Sequence, residues 1–413
     1  MSVTRRQFCE WMGATGILSQ QSVALTAGTA LSSKALQPAS DAPHIGNLYP
    51  FVQQLADRSP LELSFLHSRF RDLRAWQKTA RARVFDQLFY SPPSVPANPT
   101  VISRTDRGDY IEEYLTFQTT PELRVPAYVL IPSKAKLPAP ALVVLHDHGG
   151  FYVWGKEKVV AVAEEHAVLT AFKQQYYGGR SIASELASRG YVVITIDMFY
   201  WGERRMLLDE DPPSYRQPLR MTKEEIDAFN RRSSQNEQLV ARSLFTAGAL
   251  LPGVLLWDDI RTLEYLTSRP EVDARRIGCI GLSVGGYRSF HLAALDERIK
   301  AAVDVGWMTA FAPTIRRHVI NTVGLTFHIP GLYRYLDLPD LAGLIAPRSV
   351  FVINGTKDGL FPPAGVQAAF TKIRQCFQKA GAPDRQRCQL YEAPHQFNLT
   401  MQADAWQWLE RAL

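Results

Sequence analysis

The chain has 413 residues, of which 46% are hydrophobic and 21% charged, and its formal net charge is +6. That length and composition allow a large buried core, as one big domain or as a domain with decorations. The positive balance is too small and too dispersed for a nucleic-acid binder, and no run of 18 apolar residues offers a membrane span.

The N-terminus carries Thr4-Arg5-Arg6-Gln7-Phe8, then a weakly apolar stretch from Trp11 to Ala30. Small residues suited to cleavage stand at Gly28/Ala30 and Ser33/Ala35. Residues 1–35 therefore read as an export signal of the twin-arginine kind, which places the expected protein in the periplasm or outside the cell. Cys9 and Glu10 depart from the usual pattern, and the alternative is a disordered basic N-terminus. Leu36 to Gly46 is a polar linker. From Tyr49 to Phe89, apolar residues including Leu73, Trp76, Val84 and Leu88 recur near helical spacing, until Ser91-Pro92-Pro93 stops them. Residues 36–100 are thus expected to form a helical extension, and 101–413 the main domain.

Tyr110 to Phe117 and Val125 to Ile131 predict two strands joined by Thr119-Thr120-Pro121, a hairpin. From Ala141 onward, strand patterns at 141–146, 191–196, 276–282, 300–305, 348–354 and 387–392 alternate with helical ones. This is the α/β class: a mostly parallel twisted sheet with helices on both faces. Ligands in such folds bind beyond the carboxyl ends of the strands. Two longer stretches, 151–179 and 199–253, leave from that edge and are expected to form a lid or pocket wall.

The chemistry-bearing residues gather at the same edge. The buried strand Ala141 to His146 runs into Asp147-His148-Gly149-Gly150. The strand Arg276 to Ile280 runs into Gly281-Leu282-Ser283-Val284-Gly285-Gly286, and a helical stretch follows. G-x-S-x-G between a strand and a helix is a nucleophile elbow, whose sharp turn needs small residues. Asp358 and His395 each follow a later strand, giving the order Ser, Asp, His. A serine needs a base to take its proton, and the imidazole needs a carboxylate to fix its tautomer. The backbone N–H of Val284 and the His148-Gly149-Gly150 loop are candidate oxyanion donors.

Asp304, at the end of the strand after the elbow helix, is a rival acid. His146 and His148 could ligate zinc, but no third ligand follows at suitable spacing, so no metal or cofactor is expected. Trp154, Trp201, Tyr287 and Trp307 are candidates to line the pocket, although large aromatics also simply fill cores. Cys376 and Cys388 flank a short loop and could pair in an oxidising compartment. No cysteine spacing suggests metal or redox chemistry.

Several segments carry a wider resemblance: His146-Asp147-His148-Gly149-Gly150, Gly155-Lys156-Glu157, Asp197 through Gly202-Glu203-Arg204, Asp258-Asp259-Ile260-Arg261, and Ser268 to Asp273 leading to the elbow. Over about residues 50–400 the chain resembles a bacterial α/β-hydrolase family near the dienelactone hydrolases, of acetyl xylan esterase-like type. The resemblance implies the α/β-hydrolase fold and hydrolysis of a small or carbohydrate-linked ester through an acyl-enzyme. True dienelactone hydrolases carry cysteine at the elbow, where Ser283 stands here. Asp197 and Arg204 are placed to pair and fix their loop. Two alternatives share the fold: a hydrolase of small peptides or amides, and a non-catalytic binding homologue. The complete Ser, Asp, His set argues against the second.

Overall fold

The computed structural model describes residues 42–319 and 328–413, and the expected export signal lies outside them. Nine strands form one sheet among the described residues: β1 Thr100–Asp106, β2 Tyr110–Gln118, β3 Arg124–Pro132, β4 Ala139–Leu145, β5 Val192–Ile196, β6 Val272–Leu282, β7 Ile299–Val305, β8 Ser349–Gly355 and β9 Gln386–Tyr391. Their spatial order is β1-β2-β3-β5-β4-β6-β7-β8-β9. The pairs from β1 through β3 to β5 are antiparallel, and those from β5 across to β9 are parallel. All five residues of β5 and nearly all of β4 are buried, as expected of parallel strands covered on both faces. Each Val, Ile or Leu removed from water there stabilises the fold by about 1.5–3 kcal/mol.

The helices are α1 Tyr49–Asp57, α2 Leu73–Leu88, α3 Ala167–Tyr177, α4 Ile182–Ser188, α5 Lys223–Thr246, α6 Leu251–Thr267, α7 Val284–Leu295, the single turn α8 Ala342–Ile345, α9 Pro363–Lys379 and α10 Leu399–Ala412. The strands and helices read from the sequence after residue 141 are all present, with ends shifted by a few residues. The N-terminal segment differs from its expectation. Turns occupy residues 58–72, and Phe65 is buried there against Trp76, their rings 4.7 Å apart. Strand β1 was not foreseen, because all seven of its residues are exposed on a sheet edge and show no buried face.

The two long insertions are bonded to each other. The first holds α3 and the second α5, which starts with a capping box between Thr222 and Glu225. Asn230 Oδ1 of α5 accepts the Tyr152 N–H at 2.8 Å, and the Tyr152 hydroxyl donates to Glu237 Oε2 of the same helix at 2.6 Å. Cys376 and Cys388 are free thiols, so the pairing considered for them is not made. Among the described residues no single helix is long and apolar enough to cross a membrane.

Candidate active site

Strand β6 ends at Leu282 and α7 begins at Val284, so Ser283 alone makes the turn. Its φ is 58°, which a non-glycine residue adopts at a cost of order 1–3 kcal/mol. The Ser283 N–H is anchored to the Val305 carbonyl at 2.6 Å. A side chain at Gly281 would stand 2.5 Å from the Leu145 carbonyl, and one at Gly285 would approach the His146 carbonyl at 3.1 Å. The two glycines therefore let the elbow and the end of β4 close on each other. Val284 is the first residue of α7, so its N–H has no partner within the helix. The positive end of the helix dipole adds to its pull on an anion.

Asp358 and His395 come from the loops after the neighbouring strands β8 and β9. His395 Nδ1 lies 2.6 Å from Asp358 Oδ2, and Asp358 Oδ1 accepts the Leu360 N–H at 2.9 Å. The Asp358 side chain is 5% exposed and that of His395 29%, so the acid is buried and the ring is reachable. The His395 ring lies over Gly306, where a Cβ would be 3.1 Å from Cε1. Gly306 directly follows Val305, the residue that holds the Ser283 N–H. The structure thus brings Ser283, Asp358 and His395 to one corner of the sheet.

Asp304, the rival acid, is fully buried. Its carboxyl faces Gly286 of α7 and the Trp307 N–H. Burial pushes its pKa up to about 8, against the N–H of Trp307. It makes no hydrogen bond to His395 among the described residues.

The loop after β4 is held by buried groups on every side. His146 Nε2 accepts the Met198 N–H at 3.0 Å, so its Nδ1 carries the proton that goes to the Asp147 carbonyl at 2.8 Å. Burial, with Lys158 nearby, holds the His146 pKa well below its usual value. With Nε2 occupied, His146 cannot serve as the zinc ligand considered above. His148 Nδ1 accepts the Gly150 N–H at 2.9 Å, so its Nε2–H donates to Glu237 Oε2 at 3.0 Å. The Gly150 N–H is therefore not an oxyanion donor. His148 and Gly149 supply the N–H groups of that loop that remain in question. Gly149 sits at φ 59°, and a side chain there would be 2.6 Å from the Phe172 ring.

The pocket aromatics divide. Trp201 is fully buried, stacked on Tyr152 at 4.7 Å, and its indole N–H donates to the His148 carbonyl at 3.2 Å. It supports the loop instead of offering a stacking face. Tyr287 is buried on α7, edge-on to Trp307 at 5.7 Å, and Trp307 is edge-on to Phe361 at 5.5 Å. Phe361 and Asp358 share the wall of a cavity of about 90 Å³. Trp154 lines a separate cavity of about 440 Å³ with Tyr128, Glu157, Glu203 and Arg205.

Several buried charges escaped the sequence reading. Lys156 Nζ donates to Asp197 Oδ2 at 2.9 Å and to Glu203 Oε1 at 2.5 Å, and lies 2.8 Å from Glu157 Oε1. These carboxylates are the one group among the described residues with metal-site geometry, and a lysine ammonium fills it. Burial alone would lower the Lys156 pKa, but Asp197, Glu157 and Glu203 outweigh it and hold it well above its usual value. Arg204 pairs with Asp258 Oδ2 at 2.7 Å and touches only the backbone carbonyl of Asp197, so the expected Asp197–Arg204 side-chain pair is not formed. Lys158 is fully buried and donates to the carbonyls of Asp147 and His148 at 2.9 and 3.0 Å. One signal was available: both lysines interrupt an apolar run between Phe151 and Val160.

Comparison with known proteins places the chain among relatives. Residues 152–307 match the dienelactone hydrolase family, and residues 34–216 match an abhydrolase family. YtaP of Bacillus subtilis (strain 168), named as a hydrolase, is 27% identical over 304 residues, covering 74% of this chain and 89% of its own. A Bacteroides fragilis NCTC 9343 structure named as an acetyl xylan esterase has a TM-score of 0.62 and 20% identity, covering 83% of this chain and 82% of its own. A glucuronoyl esterase from Teredinibacter turnerae T7901 has a TM-score of 0.56 and 17% identity, covering 86% and 90%. At such identities these structures speak for the fold alone.

Proposed function

We propose that this chain, which has the α/β-hydrolase fold and matches the dienelactone hydrolase family over residues 152–307, is a serine carboxylesterase acting on a small or carbohydrate-linked acetyl-type ester. The observation that carries this reading is the His395–Asp358 hydrogen bond beside the strained elbow that presents Ser283. Ser283 Oγ attacks the ester carbonyl while His395 takes its proton. Asp358 keeps the proton of the resting imidazole on Nδ1, which leaves Nε2 free to act as base, and stabilises the imidazolium that forms. The Val284 N–H and an N–H of the His148-Gly149 loop bind the oxyanion of the tetrahedral intermediate. His395 then protonates the leaving alcohol, and an activated water releases the acid from the acyl-enzyme.

The esterase names of the fold neighbours support an ester substrate. The acyl group is short in this reading, because no long apolar tunnel is evident in the sequence. Export by the twin-arginine route is part of the same proposal and rests on Thr4 to Phe8. The test is labelling with a fluorophosphonate followed by peptide mapping. The label is expected on Ser283 and on no other serine. A label elsewhere, or none on an active preparation, would overturn the assignment.

A further inference from the structure

Two successive peptide carbonyls after β4 are saturated with donors on their buried side. The Asp147 carbonyl accepts from His146 Nδ1 at 2.8 Å and Lys158 Nζ at 2.9 Å. The His148 carbonyl accepts from Lys158 Nζ at 3.0 Å and Trp201 Nε1 at 3.2 Å. A single ammonium therefore bridges both. It is itself fully buried, 3.5 Å from Asp147 Oδ2, and that carboxylate is held through Oδ1 by the Tyr177 hydroxyl at 2.5 Å.

A peptide unit is planar and trans, so its N–H points opposite to its C=O. The units whose carbonyls Lys158 grips end in the N–H groups of His148 and Gly149. Holding the two oxygens on the buried side turns both N–H groups to the other side. Donors on a carbonyl oxygen also polarise the unit and strengthen its N–H as a donor. The loop is seated against the elbow, since Gly285 leaves no room for a side chain beside the carbonyls of Leu145 and His146.

Granted the acyl-enzyme reading above, we infer that Lys158 is a positioning residue of the oxyanion hole, which orients and polarises the Asp147–His148 and His148–Gly149 peptides, with Trp201 as its second support. It touches no substrate. Burying an ammonium for packing alone would be costly, whereas burying it on two backbone carbonyls gives it partners that only this loop supplies.

The test uses Lys158→Met and Trp201→Phe in the full chain, beside Ser283→Ala. The substrates are p-nitrophenyl acetate and its thionoester, whose C=S accepts hydrogen bonds poorly. In Lys158→Met, kcat for the oxygen ester is expected to fall about tenfold to a hundredfold, short of the roughly 10²–10³ for outright loss of an oxyanion donor, with KM little changed. The preference for the oxygen ester over the thionoester is expected to shrink in Lys158→Met, and less so in Trp201→Phe. A merely structural lysine would leave that preference intact among folded molecules. An unchanged preference in a folded Lys158→Met protein would overturn the inference while leaving Ser283 in place. If Lys158→Met does not fold, an unchanged preference in Trp201→Phe would overturn it. Activity surviving in Ser283→Ala would instead sink the reading on which it rests.

Discussion

His395 Nδ1 meets Asp358 Oδ2 at 2.6 Å while Asp358 Oδ1 is bound by the Leu360 N–H of its own turn. The carboxylate is thus fixed by its own backbone before it orients the ring. Asp358→Asn would present an amide that donates to Nδ1 and favours the wrong tautomer. Steady-state kinetics should show kcat reduced by about 10³–10⁴-fold. A loss of less than tenfold would remove Asp358 from the proton path.

Asp304→Asn should behave in the opposite way, keeping kcat near that of the parent enzyme. It should also change the pH dependence of stability. The Asp304 carboxyl is raised from 3.8 to about 8 by burial, so the folded chain keeps a proton that the unfolded chain has lost. That difference removes stability as pH rises from about 4 to 8. Melting temperatures at pH 5 and pH 8 should show the variant gaining on the parent at the higher pH. A pH-independent difference between the two would contradict this.

Glu237 joins the insertion helix α5 to the loop after β4, accepting from His148 Nε2 at 3.0 Å and from the Tyr152 hydroxyl at 2.6 Å. Both donors share the one oxygen Oε2, which Glu237→Ala removes, leaving two buried donors without that acceptor. A stability loss of about 1–3 kcal/mol is expected from urea unfolding, with a fall in kcat as the loop loosens. Unchanged stability and turnover would show that the two segments are held by other contacts.

Lys156→Met removes the cation from among Asp197, Glu157 and Glu203. The Lys156 and Asp197 side chains are both fully buried, so breaking the pair should cost about 3–5 kcal/mol in urea unfolding. Dialysis of the parent enzyme against EDTA should leave its activity unchanged, because an ammonium fills that group of carboxylates. Loss of activity that a divalent cation restores would contradict this.

The sequence made the central strands and the elbow legible because their cause is local. Val143, Ile194 and Ile280 sit in apolar runs that only buried parallel strands need, and Ser283 sits between glycines that the turn requires. The order of Ser283, Asp358 and His395 followed from strands that end on one edge. What remained hidden depends on which elements meet. Lys156 and Lys158 look like surface charges until Asp197 and the Asp147 carbonyl are brought to them from other segments. Arg204 looked like a partner for Asp197 by proximity in sequence, but α6 places Asp258 beside its guanidinium. Trp201 was a candidate to line the pocket, yet it is buried and its indole N–H finds the His148 carbonyl in the interior. Strand β1 gives no periodic signal because neither of its faces is covered.

The most direct test is hydrolysis of p-nitrophenyl acetate and butyrate by the parent chain without residues 1–35, beside Ser283→Ala. The parent should turn over the acetate, with the butyrate slower. Ser283→Ala should retain only the residual, roughly 10³–10⁴-fold above water, that binding and the oxyanion donors supply. Parent-level activity in Ser283→Ala would contradict the account at its centre.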